Sequence, residues 1–225
     1  MRYAIYFCPT GDTALGRLGH DWLAESTPAP ELPGISAERR NALLVKVRRY
    51  GWHATIRAPF TPLAEVAYDD VRRAVISVAN ACASFELPLR INHLAGFLAL
   101  RPPVDEDSPR QLAATCLGAL LPLCAAPSGE VLERRSTGLD AHEISLLQSH
   151  GYPYVLDRYR FHLTLSAPAT EPEEQAMRHW LEPRVAELPP TRVDALSICG
   201  EVTPGSAFEL IERIALCAPG MEYTS

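Results

Sequence analysis

One seven-residue pattern occurs twice in this chain, and it constrains the fold more than any other feature. Residues 53–59 read His-Ala-Thr-Ile-Arg-Ala-Pro, and residues 162–168 read His-Leu-Thr-Leu-Ser-Ala-Pro. The histidine, threonine, alanine and proline are identical, and the copies lie about half of the 225-residue chain apart. Acidic residues that start an apolar-periodic helix follow both copies, at 69–70 and at 171–174. Such a repeat predicts a duplicated fold with two similar halves.

Each copy of the pattern is typical of a strand with one polar face. Alternate side chains of a strand share a face, so His53, Thr55 and Arg57 point to one side while their neighbours pack into a core. The polar face of the second copy carries a cation, an imidazole and two hydroxyls: Arg160, His162, Thr164 and Ser166. If the halves pack about a pseudo-two-fold axis, both polar faces line one cleft.

Two imidazoles, two threonine hydroxyls and nearby guanidinium groups suit phosphate chemistry. A histidine has an unperturbed pKa of ~6.5, so at neutral pH one imidazole can accept a proton while the other donates one. Threonine hydroxyls donate hydrogen bonds to phosphate oxygens, and arginine stabilises charge that develops in the transition state. We therefore predict that His53, Thr55, His162 and Thr164 are catalytic.

Two other interpretations of the histidines are open at this point. A single histidine on a strand is usually structural, whereas two in matching contexts favour a shared site. Two histidines could also bind zinc, which takes three or four ligands. No carboxylate or cysteine stands at ligand spacing near either copy, so we predict no metal and no other cofactor.

The paired His-x-Thr-hydrophobic motif resembles the two-histidine phosphoesterase superfamily, which includes 2′-5′ RNA ligase-like proteins and cyclic nucleotide phosphodiesterases. Four further segments look like the branch of that superfamily associated with phosphonate-utilisation operons: residues 2–7, 50–55, 96–100 and 151–155. The resemblance implies a bilobal fold with a pseudo-two-fold cleft, metal-independent chemistry and cyclic phosphodiester substrates. Arg57 stands where many relatives are expected to carry lysine, so a planar fork replaces a point charge there.

Together these observations predict an α+β fold whose two similar halves, related by a pseudo-two-fold axis, line a central cleft with antiparallel-rich sheets. We expect a single bilobal domain over residues 1–225, because helices and strands mix throughout. Its approximate halves are 1–101 and 110–225, and the acidic, proline-rich stretch 102–109 connects them.

Several residues near the motifs are candidates for substrate binding: Arg57, Arg160, Arg135, Tyr154 and Ser166. Arg135 and its neighbour Arg134 could reach a second phosphate on the substrate, or they could form a solvated turn. Tyr154 belongs to a tyrosine cluster with Tyr152 and Tyr159. Aromatic rings can stack on a base or a ribose, although they can equally pack at the edge of a core.

Charge and motif content limit the partners. A net charge of −6 argues against a protein that binds long nucleic acid by bulk electrostatics. The chain contains no P-loop, no G-x-G-x-x-G and no G-x-S-x-G pattern. Six cysteines without a C-x-x-C pair predict reduced thiols in a cytoplasmic protein, and no segment reads as a secretory signal or a membrane span.

The leading functional prediction is a phosphoesterase that opens a small cyclic phosphodiester, with a ribosyl cyclic phosphate suggested by the resemblance alone. One alternative is an RNA-end processing enzyme that acts on 2′,3′-cyclic phosphate or 2′-5′ linkages. The other is a non-catalytic module that binds phosphate or nucleotide. Histidine and threonine in both copies count against the last, because binding alone needs no acid–base pair.

Overall fold

The computed structural model describes residues 1–26, 29–104, 107–203 and 205–218. The strands in these ranges are β1 (Arg2–Phe7), β2 (Ala54–Phe60), β3 (Phe85–Leu87), β4 (Arg90–Leu94), β5 (Phe97–Arg101), β6 (Leu163–Thr164), β7 (Thr191–Val193), β8 (Ala195–Glu201) and β9 (Glu209–Ala215). The α-helices are α1 (Ala14–Leu23), α2 (Ala37–Tyr50), α3 (Tyr68–Ala81), α4 (Asp107–Leu120), α5 (Gly129–Ser136), α6 (Ala141–His150) and α7 (Glu171–Ala186).

In the described part of the chain, seven strands form one sheet in the order β4-β5-β6-β2-β1-β8-β9, with every neighbouring pair antiparallel. Strands β3 and β7 pair separately. The boundary between β6 and β2 is a centre of pseudo-symmetry, because β1, β2, β3 and β4 correspond to β5, β6, β7 and β8. The second half therefore begins with β5, which starts at Phe97 and lies within the stretch 1–101 predicted as the first half. The fourth strand of each half pairs with the first strand of the other half: β4 pairs with β5, and β8 pairs with β1. The predicted α+β fold with two similar halves is confirmed.

Amphipathic helices cover the apolar surface of the sheet. Helix α4 packs on β2, α7 packs on β4, and α3 packs on both α4 and β8. The buried positions of α3 are Val71, Val75, Val78 and Ala79, which is the spacing of one helical face. Burying each valine stabilises the fold by roughly 1.5–3 kcal/mol. Within the described ranges, every helix is too short or too polar to span a bilayer.

The connection predicted at 102–109 is shorter than expected. Helix α4 begins at Asp107 and includes Pro109, while residues 105 and 106 of the predicted connection lie outside the described residues. A proline in the first turn removes no intrahelical hydrogen bond, because the first four N–H groups of a helix have no partner within it. The proline that suggested a loop therefore lies inside a helix.

One buried hydrogen bond ties the second motif to helix α1. The Trp22 side chain is fully buried, and its indole N–H donates to the carbonyl oxygen of Leu165 at 2.8 Å. Its ring packs against Trp180, with 5.3 Å between ring centroids. This contact holds the chain just beyond β6 against the core.

We predict that Trp22→Phe lowers the free energy of unfolding by about 1–3 kcal/mol, because the Leu165 carbonyl loses its donor while most of the ring area stays. Denaturation in urea measures this loss. Trp180→Phe, at the partly buried partner ring, is the matched control and should cost less. Equal losses in the two variants would contradict an anchoring role for the hydrogen bond.

Candidate active site

The register between β2 and β6 brings the two motifs together. Ala54 and Leu163 are directly paired across these antiparallel strands, and both are fully buried. Their neighbours point to the opposite face and lie across from one another. Each histidine is thus opposite the other motif's threonine: His53 is across from Thr164, and His162 is across from Thr55. The four predicted catalytic side chains form one cluster at the pseudo-two-fold axis.

Both imidazoles are oriented by the same backbone contact. The Nδ1–H of His53 donates to the carbonyl oxygen of Gly51 at 3.0 Å, and that of His162 donates to the carbonyl oxygen of Arg160 at 2.8 Å. Because a carbonyl oxygen only accepts, Nδ1 carries the proton in the neutral ring. Nε2 is then the atom that can accept or deliver a proton to a substrate. In each copy the acceptor lies two residues before the histidine.

Local backbone geometry makes this contact possible in the first copy. Helix α2 ends at Gly51, whose φ of +74° lies in the region that favours glycine. The turn aims the Gly51 carbonyl at His53. On the other side of the ring, the Thr55 hydroxyl donates to His53 Nε2 at 3.3 Å.

Aromatic side chains that the sequence did not single out flank both histidines. The ring of Tyr6, on β1, lies 4.0 Å from that of His53 between centroids. The ring of Phe97, on β5, lies 6.0 Å from that of His162. The strands β1 and β5 are equivalent in the two halves, but the two rings are not at equivalent positions, because Tyr6 pairs with Thr55 whereas Ala99 pairs with Thr164. Only the strand order and register reveal these neighbours.

Burial shifts both imidazoles toward the neutral form. It lowers the pKa of His53 to about 4, against the opposing effect of the Gly51 hydrogen bond, and the nearby His162 lowers it further. Burial also lowers the pKa of His162, and the positive charge of Arg101 adds to this effect. Both shifts favour the neutral imidazole in the ligand-free protein, so the protonated histidine that the sequence analysis expected is disfavoured there.

A cavity of about 660 Å³ adjoins the cluster. Its lining includes Thr55, Arg57, Tyr154, Arg160 and His162. Arg160 is exposed, and Tyr154 is 47% exposed. The cavity therefore brings together one predicted catalytic residue from each motif, Thr55 and His162, and three of the predicted substrate-binding residues.

The tyrosine cluster separates into two environments. Tyr154 lies at the cavity with its ring edge-on to Tyr152, 5.6 Å away between centroids. Tyr159 is buried, and its hydroxyl donates to the carbonyl oxygen of Thr55 at 2.9 Å. All three tyrosines line the cavity, but Tyr159 is buried and supports β2, whereas Tyr154 is the exposed one.

Arg57 departs from the alternation that the sequence predicted. Strand β2 pairs Thr55 with Tyr6 but Arg57 with Ile5, and this irregular register interrupts the period of two between them. Arg57 is only 3% exposed, and its guanidinium donates to the His150 carbonyl oxygen at 3.2 Å. Arg135 donates to the Gly151 carbonyl oxygen at 3.1 Å and lines a second cavity. Arg57 lines both cavities.

Ser166 does not line either cavity, so the structure does not support its predicted contact with substrate. Its side chain is 1% exposed. The backbone on both sides of it is held in the core, because Trp22 binds the Leu165 carbonyl and the Ala167 N–H donates to the Leu43 carbonyl at 2.8 Å. Strand β6 ends at Thr164, and these bonds hold the segment that follows it against the core.

All six cysteines are free thiols. No three His, Cys, Asp or Glu side chains within the described ranges are grouped closely enough to hold a metal ion.

We predict that the His53 imidazole titrates near pH 4 in the ligand-free protein, against ~6.5 in the urea-unfolded chain. NMR of the ring nitrogens measures both values. Because the folded pKa is the lower one, the stability gained from neutral His53 is complete above pH 6.5 and is lost as the pH falls from 6.5 to 4. His53→Gln should remove this part of the pH dependence of unfolding. A midpoint near 6.5 in the folded protein would contradict the burial argument.

Two curated relatives align with nearly the whole chain. "Ribose 1,5-bisphosphate phosphokinase PhnN" from Janthinobacterium sp. (strain Marseille) is 33% identical over 237 residues, which cover 97% of this chain and 51% of the relative. The protein of the same name from Laribacter hongkongensis (strain HLHK9) is 35% identical over 228 residues, which cover 98% and 53%. The chain spans about half the length of the curated relatives it matches.

Solved structures similar to the chain have low sequence identity to it. TT0787 of Thermus thermophilus matches with a TM-score of 0.49 and 13% identity, covering 97% of this chain and 100% of that one. E. coli LigT, solved in complex with 3′-AMP, matches with a TM-score of 0.44 and 14% identity, covering 96% and 97%. A structure described as a phosphoesterase matches with a TM-score of 0.43 and 14% identity, covering 96% and 98%.

A family model described as "Protein of unknown function (DUF1045)" matches residues 55–209. That range holds more than half of the chain, from Thr55 of the first motif through the whole of the second. The chain therefore belongs to the DUF1045 family.

Proposed function

We propose that the protein is a phosphoesterase that opens a small cyclic phosphodiester by acid–base catalysis between His53 and His162. One observation carries the proposal. The strand register places the two histidines diagonally across one cluster, with equivalent backbone contacts that leave Nε2 of each ring available for proton transfer. A structural role would explain either histidine alone but not the matched orientation of both.

The proposed reaction is a hydrolysis in which each histidine moves one proton. Nε2 of the neutral imidazole takes a proton from a water molecule, whose oxygen attacks phosphorus. The second histidine is an imidazolium when the substrate is bound. The bond from phosphorus to one oxygen of the cyclic phosphodiester breaks, and that oxygen takes the proton from Nε2–H of this imidazolium. The product is a phosphate monoester with a free hydroxyl. Exchange with solvent returns both rings to their starting states.

The general acid in this scheme takes its proton from solvent when the anionic substrate binds. Burial favours the neutral form of both histidines in the free protein. An anionic phosphate beside them favours the imidazolium form of its nearest ring. Binding of the substrate and protonation of the general acid are therefore coupled. The two imidazoles stay uncharged until a phosphate binds.

The other side chains of the site have supporting roles in the proposal. The Thr55 hydroxyl lies between the cavity and His53 Nε2, so it can turn to donate to a non-bridging phosphate oxygen. Thr164 is the sequence counterpart of Thr55 in the second motif. Arg160, exposed at the cavity, supplies the positive charge that a developing phosphorane needs.

The cavity and the relatives favour a small sugar phosphate as substrate. A volume of about 660 Å³ lies in the usual range for small-molecule sites. The curated relatives are named for ribose 1,5-bisphosphate, and the motif resemblance points to phosphonate metabolism, so we favour a ribosyl cyclic phosphate. A nucleotide ending in a 2′,3′-cyclic phosphate is the second candidate, because the half-exposed Tyr154 can stack on a base.

We predict that the purified protein hydrolyses one of these cyclic phosphates after exhaustive dialysis against a chelator. His53→Gln and His162→Gln should each lower kcat by roughly 10²–10⁴-fold, the usual contribution of a general acid or base. His142→Gln is the matched control, because His142 pairs with Asp157 on the surface. Steady-state kinetics, with phosphorus NMR of the product, measure both effects.

Normal turnover by either His53→Gln or His162→Gln would refute the paired mechanism. Activity that is lost with the chelator and restored by zinc or manganese would instead indicate a metal-dependent reaction.

A further inference from the structure

A second cavity, of about 540 Å³, lies next to the candidate active site and is strongly basic. Its lining includes four arginines: Arg2, Arg57, Arg134 and Arg135. No carboxylate belongs to its described lining. Such a concentration of positive charge stands out in a chain whose net charge is −6, and it favours an anionic occupant.

The buried guanidinium of Arg57 is the strongest indication of a ligand. Its side chain is almost fully buried, since the residue is 3% exposed, and one Nη donates to the His150 carbonyl oxygen. Its Nε has no hydrogen-bond partner, and neither has the buried Nδ1 of His150 beside it. No ion pair involves Arg57 among the described residues. A buried charge without a counter-ion is costly, and an anion in the cavity would compensate it.

The remaining arginines are held toward the same space. Arg135 lies on α5, and its hydrogen bond to the Gly151 carbonyl oxygen fixes its side chain. Burial lowers the pKa of Arg135, and the positive charges of Arg2 and Arg134 lower it further. These cations are therefore close enough to repel one another. Arg2 is partly neutralised by Glu201, so Arg57, Arg134 and Arg135 provide most of the uncompensated charge.

The two cavities are joined at Arg57. This residue lies two positions after Thr55 on β2, and it lines both cavities. One small molecule can therefore reach from the histidine cluster to the arginine cavity.

We propose that the arginine cavity binds a phosphate monoester that the substrate carries in addition to its cyclic phosphate. This inference rests on the proposed function and narrows its substrate to a doubly phosphorylated small molecule. Arg57 lies between the two phosphates, and Arg134 and Arg135 bind the monoester. The arginine fork can donate two parallel hydrogen bonds to such a phosphate.

Binding of ribose 5-phosphate tests the site without any need for turnover. Calorimetric titration of the wild-type protein should show one site. Arg134→Gln and Arg135→Gln should each weaken binding by about tenfold or more, as expected for a lost charge-assisted hydrogen bond. Arg134 is exposed, so its variant keeps the test valid if Arg135→Gln unfolds. Arg178→Gln on α7, outside both cavities, is the control and should bind as the wild type does.

Turnover then tests whether this phosphate belongs to the substrate. Ribose 1,2-cyclic phosphate is compared with the same molecule bearing a phosphate at C5. The wild type should prefer the second by at least tenfold in kcat/KM, and Arg134→Gln should reduce that preference. Equal kcat/KM values for the two compounds would overturn the inference. So would an affinity for ribose 5-phosphate that is unchanged in both Arg134→Gln and Arg135→Gln. Binding that depends on the arginines, with no cyclic phosphate hydrolysed, would support the anion site and refute the proposed function.

Discussion

The arrangement of the site depends on one pairing, that of Ala54 with Leu163 at the centre of the sheet. Both side chains are fully buried and face the core. A shift of one residue in this register would turn the apolar side chains outward and the histidines inward. Core burial therefore fixes which face the imidazoles take. The same pairing lies at the pseudo-two-fold axis, so each motif completes the site of the other.

Burial also determines the chemistry of the imidazoles. The aromatic rings of Tyr6 and Phe97 lie against the two histidines, and the burial of the imidazoles lowers both pKa values. A neutral pair has no charge to attract a carboxylate or to repel a cation. In the proposed reaction the pair gains a proton when the anionic substrate binds. The neighbouring arginines provide the attraction that the histidines lack.

The period of two along each motif was enough to predict which residues share the polar face. It placed His53 with Thr55 and His162 with Thr164, and the downstream order predicted the duplicated α+β fold. The exchange of β4 and β8 between halves was not predictable, because local alternation says nothing about which strands pair.

The sequence also did not predict how deeply individual side chains of the motifs are buried. The irregular register of β2 between Thr55 and Arg57 interrupts the predicted alternation, and Arg57 is covered by the chain around His150. Ser166 lies beyond β6 and is buried in the core near Trp22. Arg135 was a candidate phosphate ligand by composition alone. Its place in a separate cavity depends on how α5 packs against the end of α6, which only the tertiary structure gives.

The pH dependence of cyclic phosphate hydrolysis tests the paired histidines most directly. The account predicts a bell-shaped profile of kcat/KM whose basic limb has an apparent pKa below 6.5, since burial lowers both free-enzyme values. The basic limb of kcat should lie at higher pH, because bound phosphate favours imidazolium. Replacing either histidine should remove one limb from the activity that is left. A rate that rises monotonically to high pH would contradict the account, because it would require a single base or a metal-bound hydroxide.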